Sequence, residues 1–157
     1  MKNLLVFQPL IQSRGKPVFI CTWGLGDYFD MRDVVVPLEH HASSVELLVG
    51  YSKKSHDLPE LLGRLKTYRG LDWHVRLVPN LHIKAWIIGS DAYVGSCNFV
   101  PNDPIINAMW QVPKSEVVPI VQHYWKRSVA VSHSTVLTLV KPCKNRHDQL
   151  PGGPSDD

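Results

Sequence analysis

Leu81-His82-Ile83-Lys84-Ala85-Trp86-Ile87-Ile88 and Ala92-Tyr93-Val94-Gly95-Ser96-Cys97-Asn98-Phe99, joined by Gly89-Ser90-Asp91, decide both the fold and the chemistry. Each segment is rich in β-branched and aromatic residues, and the connection has turn chemistry, so the pair predicts an antiparallel β-hairpin. Successive side chains of a strand point to opposite faces. His82, Lys84 and Trp86 are therefore expected on one face, with Ile83, Ala85 and Ile87 on the other. On the second strand Ser96 and Asn98 share a face, and Cys97 and Phe99 point away from it. The polar pairs then converge at the open end of the hairpin.

The chemistry of that set is coherent. An imidazole is a nucleophile or proton carrier near neutral pH. An ammonium brings compact positive charge to a phosphoryl oxygen. Hydroxyl and carboxamide groups add hydrogen-bond donors, and Gly95 lets a backbone approach closely. Phosphoryl transfer needs mainly positioning and charge stabilisation. No carboxylate pair or His/Cys cluster has metal-site spacing, so neither a metal nor a cofactor is expected. Trp86 reads as core or pocket wall, with stacking on a substrate base as the alternative.

Working outward, Lys16–Trp23 and Val45–Tyr51 read as strands, with a helix between them over Met31–Ala42 despite Pro37. Asp57–Gly70 predicts the clearest helix: Leu58, Leu61, Leu62, Leu65 and Tyr68 line one face, and Arg64, Lys66 and Arg69 the other. Trp73–Pro79 is a further strand, and Met109–Val112 a short one. Ser115 can cap a helix to about Ser128, and Val129–Val140 is β-prone. Met1–Phe7 reads as a first strand, since Gln8, Pro9 and Gln12 interrupt the apolar run before a signal peptide's core is complete. The order predicts an α/β sandwich, a mixed sheet flanked by helices, in a single domain over residues 1–141. Residues 142–157 are expected to form a disordered polar tail.

Composition bounds the function. The 157 residues are 44% hydrophobic and 20% charged, as in globular domains. No apolar run approaches the roughly 20 residues that span a bilayer, and no interfacial anchor is visible, so no membrane role is expected. Three widely spaced cysteines, Cys21, Cys97 and Cys143, fit a reducing, cytoplasmic setting. Three of the 14 acids (Asp148, Asp156, Asp157) lie in the last ten residues, leaving 17 basic and 11 acidic side chains over residues 1–147. That balance suits a polyanionic partner such as DNA or RNA, and equally an ordinary basic surface.

His82-Ile83-Lys84 joined to Gly95-Ser96-Cys97-Asn98 resembles the paired signature of the phospholipase D superfamily, His-x-Lys followed by Gly-Ser-x-Asn. The resemblance spans roughly Val45 to Ser128 and extends to the flanking apolar strands and to Tyr124-Trp125-Lys126-Arg127-Ser128. It implies a two-histidine, metal-independent phosphodiesterase of the nuclease type. His82 would attack phosphorus to form a phosphohistidine, and a second histidine would protonate the leaving oxygen. Lys84, Ser96 and Asn98 would hold the phosphate. One copy of the motif implies that the second histidine comes from a symmetric subunit, making a homodimer the working unit. His74-Val75-Arg76 is a poor echo with no Gly-Ser-x-Asn partner.

The sequence departs from that pattern in two places. Gly89 stands where the family usually has an aspartate, and the Lys84-to-Gly95 spacing is one residue short, which reads as a shortened hairpin with Asp91 in its turn. Where related proteins carry a glutamate supporting a catalytic histidine, this chain has Asn107-Ala108-Met109, leaving Asp103 or Glu116 as substitutes. These departures favour the competing reading, a binding module that keeps the fold and the phosphate pocket without turnover.

Overall fold

A computed structural model describes residues 4–52, 58–101 and 107–132. The chain forms one mixed seven-stranded sheet in the order β6-β5-β4-β1-β2-β3-β7. The strands are β1 (Pro17–Thr22), β2 (Ser44–Tyr51), β3 (Trp73–Pro79), β4 (Ala85–Ile88), β5 (Asp91–Gly95), β6 (Met109–Val112) and β7 (Val129–Ala130). β1, β2 and β3 are parallel, with Val18 opposite Val45 and Val45 opposite Trp73. β4 returns antiparallel beside β1, and β5 and β6 follow as an antiparallel meander. α1 (Gln8–Ile11), α2 (Tyr28–His41) and α3 (Leu58–Lys66) cover one face, and α4 (Lys114–Trp125) the other. This is the α/β sandwich expected from the element order.

Alternation along the strands builds the two cores. Ile20, Leu47, Val49, Leu77 and Trp86 belong to the larger one, with Met31, Val34, Val35 and Leu38 of α2. Cys21, Leu48, Val78, Ala85 and Ala92 face α4 through Val117 and Val121. The hairpin is present as predicted, Ala85 opposite Val94 and Ile88 opposite Asp91. Its turn needs a left-handed backbone, supplied by Gly89 at φ +58°.

Several expectations need correction. Of the expected first strand, Leu4–Phe7 is instead a 3₁₀ turn running into α1. Phe7 and Leu10 bury at helical i, i+3 spacing, and Pro9 is harmless in a helix's first turn. β4 begins at Ala85 rather than Leu81, because β1 ends at Thr22 and Cys21–Ala85 is its last pair. Among the described residues, the bond from Gly95 N–H to the Lys84 carbonyl, at 3.2 Å, continues the hairpin one pair beyond it. α2 starts earlier than expected, since the Asp27 carboxylate accepts from Asp30 N–H at 2.9 Å. α4 is not capped by Ser115; it begins at Lys114 behind Pro113. α3 ends at Lys66, because the Thr67 hydroxyl donates to the Arg64 carbonyl and i→i+3 bonds tighten the turn toward Gly70. Asp57, residues 133–140 and the tail over 142–157 lie outside the described residues.

Trp86 belongs to the core. It is 1% exposed, stacks on Phe7 at 5.7 Å between ring centroids and touches Tyr93 at 6.3 Å. No face remains for a substrate base, which corrects the substrate-binding role considered for it. Trp86→Ala should therefore destabilise the fold by about 3–5 kcal/mol, the usual cost of emptying a buried aromatic site. Urea denaturation checks this, and any ligand affinity per folded molecule should stay at the parent value.

Candidate active site

The topology gathers the polar residues at one edge of the sheet. β1, β2, β3 and β5 all end there, and β4 starts there. The carboxyl ends of parallel strands are where open α/β sheets leave a crevice. Trp23 and Gly24 follow β1, Ser52 follows β2, His82 and Lys84 precede β4, and Ser96 and Asn98 follow β5. One residue of each pair, His82 and Asn98, contacts the loop that leaves β1.

Asn98 is the tie between them. Its Oδ1 accepts from the backbone N–H groups of Trp23, at 3.2 Å, and Gly24, at 3.1 Å. With the oxygen committed, the Nδ2 hydrogens are its remaining donors. Thr22 reinforces the junction, its Oγ1 donating to the Gly24 carbonyl at 2.5 Å and accepting from Phe99 N–H at 2.9 Å. Ser96 is exposed. Its N–H donates to the Ala108 carbonyl and its Oγ accepts from Ala108 N–H at 3.1 Å, leaving the hydroxyl hydrogen free to donate outward. Gly95 permits that contact, since a Cβ there would lie 1.9 Å from the Ala108 oxygen.

His82 is exposed, and its ring lies parallel to the Trp23 indole, 8° between planes and 5.9 Å between centroids. Lys84 is half-buried, and among the described residues neither its ammonium nor the His82 ring has a hydrogen-bond or ion-pair partner. Asp91 sits at the opposite end of the hairpin, 3.6 Å from Lys16 and accepting from Gln111, so it cannot serve this edge. Glu116 is exposed in the first turn of α4, and Asp103 lies outside the described residues. Arg76 of the His74–Arg76 echo is spent on the Ser128 hydroxyl and carbonyl and lies over the Trp125 ring. Cys97 is buried away from the edge, in the larger core.

A cleft of about 210 Å³ opens between the β1–α2 loop and α3, walled by Trp23, Leu25, Tyr51, Leu61 and Arg64; His82, Lys84, Ser96 and Asn98 do not line it. Arg64 is fixed by bonds to the Leu25 carbonyl and to Glu60. Burial raises the Tyr51 phenol above its ordinary pKa, so it meets any ligand as a neutral hydroxyl. Among the described residues no three His, Cys, Asp or Glu side chains gather as a metal site. Sequence reasoning missed Thr22, Trp23 and the cleft. The available signal was a strand ending in Thr-Trp-Gly, at the carboxyl edge of a parallel sheet.

No protein-family model matches the sequence, and no curated protein matches it. Solved structures do. A phospholipase D family member, Nuc from Salmonella typhimurium, superposes with a TM-score of 0.59 at 15% identity, over 82% of this chain and 89% of that one. The chain has the phospholipase D superfamily fold. NucT from Helicobacter pylori matches with a TM-score of 0.55 at 15% identity, over 82% of this chain and 90% of that one. TrmBL2, an archaeal chromatin protein with a described mode of DNA binding, matches with a TM-score of 0.51 at 10% identity, over 81% of this chain and 50% of that one.

Two substitutions separate the roles of the Asn98 carboxamide. Asn98→Ala orphans two half-buried N–H groups and should cost about 1–3 kcal/mol of stability. Asn98→Asp keeps an acceptor oxygen, so its Tm should stay near the parent value. On the phosphate-holding role that the resemblance implies for Asn98, the added negative charge should abolish binding of tungstate, a phosphate mimic. Thermal denaturation and calorimetric titration check the pair.

Proposed function

We propose that this protein is a metal-independent phosphodiesterase that cleaves nucleic-acid phosphodiesters through a phosphohistidine on His82, at a site shared by two subunits. The observation that carries this reading is the convergence of His82 and Lys84, entering β4, with Ser96 and Asn98, leaving β5, at one sheet edge of a phospholipase D superfamily fold. A ring nitrogen of His82 attacks phosphorus, and a P–N bond forms as the bond to the leaving oxygen breaks. That oxygen takes its proton from the His82 of a symmetric second subunit. Water then attacks the phosphohistidine, gives its proton to the second histidine, and the P–N bond breaks. Lys84, the Ser96 hydroxyl and Asn98 Nδ2 neutralise and hold the phosphoryl oxygens.

The nucleic-acid substrate is supported by the basic balance of residues 1–147 and by the likeness to DNA-binding TrmBL2. Among the described residues no helix is long and apolar enough to cross a membrane. Cys21 and Cys97 are buried thiols, which supports a reducing, cytoplasmic compartment. A second reading, a phosphate-binding module without turnover, is favoured by one observation: among the described residues no carboxylate contacts His82, and Asp91 is engaged at the far end of the hairpin.

Hydrolysis of bis(p-nitrophenyl) phosphate and of a labelled oligonucleotide in excess EDTA decides between the two. Turnover that survives EDTA and disappears in His82→Ala is the expected result. Binding without turnover in the parent protein would establish the module instead, and loss in EDTA with restoration by Mg²⁺ would overturn the mechanism. The shared site has its own test. When parent and His82→Ala chains are mixed equally and exchanged to equilibrium, about a quarter of dimers hold two histidines, so activity should fall to about a quarter. A value near one half would show that each chain is self-sufficient.

A further inference from the structure

A catalytic histidine must keep its ring in one plane, and enzymes commonly do this with a hydrogen bond from one ring nitrogen to a carboxylate. Here, among the described residues, His82 has no such bond. What it has is the indole of Trp23, parallel within 8° and offset at 5.9 Å between centroids, within the range of favourable aromatic stacking. We propose that Trp23 is the positioning residue for His82, fixing the imidazole plane by stacking in place of a supporting carboxylate. The inference rests on the phosphohistidine reading, in which His82 is the nucleophile.

The surroundings of Trp23 fit that task, because the indole is itself held at several points. Its backbone N–H is bound by Asn98 Oδ1, and so is the next N–H, at Gly24. The residue before it, Thr22, is buried and bonded to both Gly24 and Phe99. The half-buried indole packs against the smaller core. Across the sheet, β2 makes room for it with Gly50, where a Cβ would lie 2.9 Å from Trp23 Cε3 and 2.6 Å from the Leu81 Cβ. Gly50 thus seats both the indole and the residue immediately before His82.

The geometry also suits the reaction. Both imidazole nitrogens lie in the ring plane, so a partner on the ring face blocks neither one. A carboxylate partner would occupy one nitrogen and place negative charge beside an anionic substrate. An indole face does neither. Asn98 then acts twice, offering Nδ2 to phosphate and anchoring through Oδ1 the residue that orients the nucleophile.

The test uses the full-length protein and two independent readouts. In the parent protein, ¹³C- and ¹⁵N-labelled histidine spectra, assigned with His82→Ala, should show the His82 carbon-bound ring protons shifted upfield by the indole ring current. In Trp23→Leu that shift should vanish, and in Trp23→Phe part of it should persist. Kinetically, kcat for bis(p-nitrophenyl) phosphate should fall by about tenfold or more in Trp23→Leu with KM little changed, because loss of orientation costs rate rather than binding. Trp23→Phe should recover most of that loss. Unshifted His82 resonances in the parent protein overturn the proposal without any variant having to fold. Parental kcat in a folded Trp23→Leu overturns it as well. If the parent protein shows the ring-current shift but hydrolyses nothing, the stack stands and it is the phosphohistidine reading that fails.

Discussion

The acceptance of two consecutive backbone N–H groups by Asn98 Oδ1 is the contact that joins the loops at the carboxyl edge of the sheet. β1 must stop at the sheet edge and release its chain into the loop before α2, which leaves the N–H groups of Trp23 and Gly24 without ladder partners. A buried or half-buried donor left unpaired costs more than an ordinary hydrogen bond returns. One carboxamide oxygen satisfies both, and in doing so joins the exit of β5 to the exit of β1 across the intervening β4. The hydroxyl of Thr22 closes the same junction from the other side.

A second constraint is the thinness of the backbone where strands approach most closely. Gly95 brings β5 so near to Ala108 that no side chain fits, and that approach lets Ser96 exchange two bonds with the residue just before β6. Ser96 and Asn98 are therefore held by different partners, Ala108 and the β1–α2 loop. Neither relies on a long flexible side chain for its place. Lys84 is the flexible member of the set, with its backbone pinned through the bond from Gly95 to its carbonyl.

Much of this was legible in the sequence, and the reasons differ between elements. The hairpin could be read because its two segments are β-prone and Gly89-Ser90 has turn chemistry. The meeting of Lys84 and Gly95 at its open end followed from that hairpin. Trp86 was ambiguous by pattern, because alternation assigns it a face without saying whether a helix covers that face; Phe7 does. Phe7 itself was misread, since an apolar run interrupted by Pro9 shows no period long enough to separate strand from helix. Trp23 was invisible for another reason. Its importance arises from residues far along the chain, Asn98 and His82, and nothing in its local context announces either contact. The strand limits at Thr22 and Ala85 were hidden likewise, because where a strand stops depends on where its neighbour stops.

The order of the sheet has a consequence for how the protein is made. β1 lies in the middle, yet its neighbour on one side, β4, follows it by some seventy residues, with Val18 opposite Ile88. The bond from Trp23 N–H to Asn98 spans 75 positions. Pairings this distant in sequence close large loops and form slowly. On the ribosome β1 and β2 can associate early, but the central strand keeps one edge open until the hairpin emerges. The sheet edge that carries Lys84, Ser96 and Asn98 is therefore assembled only when the sheet is nearly complete. A nascent chain that ends before Asn98 lacks the acceptor for the Trp23 and Gly24 N–H groups, so this junction is among the last parts of the fold to close.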